Sequence, residues 1–259
     1  MLTQVGGVIY LLSRLTNKRV DKLSNNIYLK LLYRLLVHVT IYCFSTFVII
    51  PFLAKPLGRV PLPLTETNHL KPLNILTCLL NRHYVKPELK QTALEVALKM
   101  HDQFPGSTIN YLDANFPFID KFPLFPHLSH NDGKKLDLSF CYIDVKTNQP
   151  TNECPSFYGY GICEEPLPHE INTTQSCEDK GYRQYSILKM LTPQHNKSQF
   201  AFDQKRTKEL LHLISNNPKI GKVFLEPHLK SRLKLSSDKI RFHGCQAVRH
   251  DDHVHIELE

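Results

Sequence analysis

The sequence predicts an α+β domain on an antiparallel sheet, with helices packed on one face and a single apolar helix ahead of it. Three observations carry this expectation. A twenty-residue run at 35–54 has no formal charge, stretches 86–104 and 203–216 carry apolar residues at helical spacing, and 135–144 and 253–259 alternate polar with apolar.

The apolar run comes first in the chain. LLVHVTIYCFSTFVIIPFLA, as a helix rising 1.5 Å per residue, spans about 30 Å, the thickness of a bilayer's hydrocarbon core. A buried core helix would keep a polar face, and none exists here. A cleaved signal peptide fits poorly, because 34 residues precede the run and no small-x-small site follows it. Pro51 falls in the last turn, where a helix in lipid tolerates it.

Charge gives this helix an orientation. The 259-residue chain carries a net +8, and residues 1–34 hold six bases (Arg14, Lys18, Arg19, Lys22, Lys30, Arg34) against Asp21. The rest has 26 bases and 23 acids, too balanced for a nucleic-acid face, so no nucleic-acid partner is expected. The positive-inside rule keeps residues 1–34 in the cytoplasm as a basic tail. Residues 35–54 then form the transmembrane helix, 55–85 a linker that includes the Pro-rich 56–63, and 86–259 an extracytoplasmic domain, periplasmic in a Gram-negative cell. Six cysteines (Cys78, Cys141, Cys154, Cys163, Cys177, Cys245) lie on that outer side. An oxidising compartment permits disulfides among them, with connectivity open, and no C-x-x-C pair suggests a cysteine metal site.

Within the outer part, Leu89, Ala93, Val96, Ala97 and Met100 form the buried stripe of a helix over 86–104, stopped by Pro105-Gly106. A strand is expected in 107–116. In 135–144, Leu136, Leu138, Phe140 and Tyr142 face one way, and Asp137, Ser139 and Cys141 the other. Residues 145–200 show no period and read as a Cys/Pro-rich insertion of loops. Asp203 can cap a helix over 203–216, followed by a strand at 220–227, a short helix at 228–235 and a last strand, HVHIELE.

Metal-binding side chains concentrate in two places: His130-x6-Asp137, and His250-Asp-Asp-His253-Val-His255. Residues two apart on a strand share a face, so His253 and His255 project together, and Asp137 lies on the polar face of another strand. Two histidines and one carboxylate leave a fourth position for water, the arrangement of a catalytic zinc, which acidifies that water.

The pattern H-x-x-G-x-x-x-D (His130, Gly133, Asp137) with a late D-D-H-x-H resembles the zinc peptidases that group lysostaphin, the D-Ala-D-Ala metallopeptidases and the Hedgehog signalling domain. The spacing of His250, His253 and His255 is most similar to the penicillin-insensitive murein endopeptidases. The likeness covers residues 107–142 and 240–258. It implies Zn2+ held by His130, Asp137 and His255, with His253 as catalytic neighbour and His250 as a further active-site histidine. It also implies a membrane-anchored zinc peptidase cutting amide bonds in peptidoglycan peptides, or, as in Hedgehog, a non-catalytic zinc-containing binding domain. Two departures stand out: Lys135 replaces a small residue, and Asp252 stands where the dipeptidases of the group have Glu. The general base is therefore open between His253 and Asp252, with alternation favouring His253.

Overall fold

The computed structural model describes residues 3–125 and 127–259. The apolar run lies within one long helix, Ile27–Leu57, which is long and apolar enough to cross a membrane, and with 11% of its most apolar stretch buried it is no core helix. A π turn at Ser45–Ile49 precedes Pro51. Pro51 has no N–H to give, and the widened turn makes room for its ring.

Residues 3–23 do not leave the molecule as a separate tail. They turn back antiparallel to the long helix, where Ser13 Oγ lies 3.1 Å from His38 Nδ1 and Arg34 pairs with Asp21 at 2.8 and 2.5 Å. At the start of the described chain, the Gln4 side chain donates to the Ile119 carbonyl and accepts from the Phe118 N–H, both at 3.0 Å. Val5 and Phe118 pack with Ile50, Ala54 and Tyr84. The stretch expected as a cytoplasmic tail thus touches the domain expected outside.

Nor is 55–85 a linker. It supplies β1 (Val60–Pro61), β2 (Leu70–Pro72) and β3 (Tyr84–Val85), and its Arg59 is buried, donating to the Phe116 carbonyl. Strand β4 (Ile109–Tyr111) is shorter than 107–116. The alternating 135–144 stretch divides at Phe140 into β5 (Lys135–Ser139) and β6 (Tyr142–Asp144), which belong to different sheets. β6 pairs with β7 (Gln149–Thr151) and β8 (Phe200–Phe202). Strands β9 (Ile220–Phe224), β10 (Ile240–Arg241) and β11 (His253–Leu258) complete the set.

The central sheet has the order β10-β9-β11-β5-β4-β2. Its middle is antiparallel as expected, but both edge pairs, β10 with β9 and β2 with β4, are parallel. Alternation decides its two faces. Leu136, Leu138, Val254 and Ile256 enter the core with the apolar stripes of helices Pro87–Gln103 and Gln204–Ser215. The second helix is capped as expected, with the Asp203 carboxylate accepting from the Arg206 N–H at 3.0 Å. Asp137, His253 and His255 take the opposite face.

The 145–200 insertion is not loops alone. It holds helices Thr173–Asp179 and Arg183–Leu191, and the Cys177–Cys245 disulfide ties it to the segment before β11. One of the pairings the sequence left open is thus present, and it joins the insertion. Cys78, Cys141, Cys154 and Cys163 are free thiols.

Candidate metal centre

Register brings the sequence motifs together. His255 lies directly opposite Asp137 across the β11–β5 pair, and cross-strand neighbours on one face are within side-chain reach. His255 Nδ1 is 2.8 Å from Asp137 Oδ1. His130 enters from the loop before β5. Its Nδ1–H donates to the Ala114 carbonyl at 2.7 Å, and this fixes the tautomer that leaves a lone pair on Nε2. That Nε2 lies 3.0 Å from His255 Nδ1 and 3.2 Å from Asp137 Oδ1. Ligand atoms around a tetrahedral zinc sit about 3.3 Å apart, so these three groups converge as a ligand set would. His130, Asp137 and His255 are all buried.

A second trio shares the same carboxylate: His127, Asp137 and His253 also converge closely enough to hold a metal ion. His127 Nδ1–H donates to Asp113 Oδ2 at 3.0 Å, and Arg82 donates to the same oxygen at 2.5 Å. His253 Nδ1–H donates to the Asp252 carboxylate. Nε2 of His127 and Nε2 of His253 are both buried without a partner. Orphaned buried ring nitrogens are costly, and a cation or a bound polar group would satisfy them. The donor set therefore fits a metal ion.

The electrostatics follow from burial and proximity. Burial disfavours the Asp137 anion, but His130 and His253 outweigh it and hold the carboxyl well below the usual range. Burial also opposes charge on His253, yet Asp137 and Asp252 lift its pKa to about 9. For His250 the pull of Asp137 is outweighed. Burial first, then His253 and His255, push it well below an ordinary histidine. Its ring lies 5.0 Å from that of His253 and 5.5 Å from that of His255.

Asp252 is engaged on both oxygens: Oδ1 by His253 and Oδ2 by the Gly161 N–H at 2.5 Å. The turn before it is clamped by Glu226, whose backbone N–H donates to the His250 carbonyl and whose carboxylate accepts the His250 N–H. Arg249 grips Asp251 at 2.9 and 2.5 Å. These contacts set the direction in which β11 begins, and with it the aim of its histidines.

Several site residues lie outside the two motifs. Tyr160 Oη donates to Asp137 Oδ2 at 2.8 Å and accepts from the Asp113 N–H at 3.0 Å. It is presented by Gly159 and Gly161, both at φ +81, where a Cβ would meet Leu112 Cδ2 at 2.3 Å or Thr192 Oγ1 at 2.1 Å, so both positions require glycine. His243 stacks on Phe224 with ring centres 4.1 Å apart, and burial and His255 lower its pKa to about 4. A cleft of about 320 Å³ reaches His130 and His255, lined also by His243, Gln246, Val248 and His250. His127 carried a signal in the sequence, three residues before His130. Tyr160 carried none beyond its flanking glycines.

No protein-family model matches the chain, and no curated protein matches it.

Proposed function

We propose that this chain is a membrane-attached zinc peptidase that hydrolyses amide bonds, with the peptide stems or cross-links of peptidoglycan as substrate. The observation that carries the reading is the convergence of His130, Asp137 and His255 beside a His253 Nε2 with no partner among the described residues, with His130 and His255 lining a cleft. The resemblance of the two motifs to the murein endopeptidases supplies the substrate class. His130 Nε2, Asp137 Oδ1 and His255 Nδ1 would hold the metal. Bound zinc supplies a Lewis acid for the scissile carbonyl and an acidified water.

The remaining work belongs to side chains. Asp252, fixed by the Gly161 N–H, orients His253 so that Nε2 points toward Asp137 Oδ1, 3.7 Å away. A metal cation on Asp137 would offset the carboxylate charge that holds His253 protonated, and the neutral His253 would then take the proton of the attacking water and return it to the leaving amine. Because Asp252 is spent on that orientation, His253 is the base in this reading. His250 and His243 line the cleft and shape the approach of the peptide. The Ile27–Leu57 helix would hold the enzyme at the membrane, on the extracytoplasmic side where peptidoglycan lies.

The test is digestion of purified sacculi by the full-length protein, with and without a chelator, read by mass spectrometry. Metal-dependent release of peptides cut at an amide bond is expected, and its absence overturns the reading. The depth of the trio favours one second reading, a zinc-containing binding domain without catalysis, because His130 and Asp137 are 0% exposed and closed zinc sites are structural ones. That reading expects bound zinc and intact sacculi.

A further inference from the structure

The N-terminal 57 residues carry more information than a span of sufficient length. Along the long helix no charged residue occurs from 35 to 54, and on the strand of chain that returns beside it none occurs from 3 to 13. The six bases at 14–34 all lie around the turn that joins the two. Both arms expose large apolar residues: Tyr10, Leu11 and Leu12 on one, Leu32, Leu36 and Phe52 on the other. Polar groups between the arms are spent on each other, as in the Ser13–His38 contact.

We infer that residues 3–57 form a helical hairpin that docks in a bilayer with both its ends on one side, its basic turn held by anionic lipid headgroups. This rests on the membrane attachment proposed above and not on the chemistry. A single pass would separate Gln4 from the domain by a membrane, whereas its side chain bonds Phe118 and Ile119, and Val5 joins Phe118 against the cluster of Ile50, Ala54 and Tyr84. Arg34 lies eight residues before Tyr42, where the domain first meets the helix, so the basic end of the hairpin stands about 12 Å clear of the domain, within reach of a headgroup layer. Charge complementarity names the lipid, because six bases against one acid favour an anionic surface by about 1 kcal/mol for each base near it. The domain meets the helix as far along as Tyr42, whose hydroxyl donates to the Leu79 carbonyl at 2.7 Å, and near that edge it exposes Ile75 and Phe157.

The experiment uses full-length protein with a protease-cleavable tag at each terminus, reconstituted into sealed vesicles of phosphatidylcholine and phosphatidylglycerol. Protease is added outside only. Whatever the insertion direction, each molecule of a hairpin keeps both tags or loses both. If every molecule loses one tag and keeps the other, the chain crosses once and the inference fails. Protein that remains unbound to the vesicles also overturns it. Replacing Lys18, Arg19 and Lys22 by Gln should weaken association with the anionic vesicles about fivefold per residue. Unchanged binding, or equal binding to pure phosphatidylcholine, removes the headgroups from the inference. None of these readouts depends on peptidase activity.

Discussion

Asp137 is the residue on which the site turns: Tyr160 donates to one oxygen, while His130 and His255 converge on the other. In the proposed zinc site, replacing Asp137, His255 or His130 with Ala would remove one of three ligands, and zinc stoichiometry should collapse in each case. His253→Ala should retain most of the zinc while hydrolysis falls about 10²–10⁴-fold, the contribution of a positioned acid–base group. Metal content measured beside the rate separates the classes; His253→Ala losing zinc as completely as His255→Ala would make His253 a ligand. The faces on which Asp137, His253 and His255 stand were legible because strand periodicity is local, whereas the pairing that sets His255 opposite Asp137 was not, since alternation fixes a face and not a partner. Tyr160 and His243 were not legible, because each reaches the site by a turn whose direction depends on distant packing. Gly161 against Thr192 is one such contact, and His243 against Phe224 is another.

At the scale of elements, the helices at 86–104 and 203–216 were readable to within a residue or two, since each carries its own apolar stripe and the second its own Asp203 cap. The break of 135–144 into β5 and β6 was not, because Phe140 and Tyr142 continue the alternation while β6 pairs with β7 and β8 instead of the central sheet. The insertion failed as a set of loops for a related reason: its helices are short and are held by contacts from outside. The Cys177–Cys245 bond is the covalent one, spanning 68 residues and pinning the segment that carries Gln246 and Val248 into the cleft. Cys245→Ser should cost about 2–4 kcal/mol and lower the melting temperature by about 5–15 °C. A reductant should lower the wild-type melting temperature by a similar amount and leave the variant unchanged. Equal melting of oxidised and reduced wild type would show that packing alone holds the insertion.

At the scale of the whole molecule, Glu226 stands where the insertion, the sheet and the histidine turn meet. Its carboxylate accepts from Thr173 Oγ1 in the insertion at 3.1 Å and from the His250 N–H at 3.3 Å. Burial, and then the neighbouring Asp251, raise its pKa to about 7 from an ordinary 4.5. A carboxyl raised in the folded state binds its proton more tightly there than in the unfolded chain. Its contribution to stability is therefore full below about pH 4.5 and is lost as pH rises through about 7. Glu226→Gln keeps the shape and one hydrogen-bond acceptor but cannot ionise, so the variant escapes that loss. The stability difference, variant minus wild type, should climb across this window and level off above it, by an amount bounded at about 3 kcal/mol. Denaturant midpoints for both proteins from pH 4 to 8.5 measure it. A difference that stays flat would mean that Glu226 is solvated in solution, and that the three-way junction is looser than its hydrogen bonds imply.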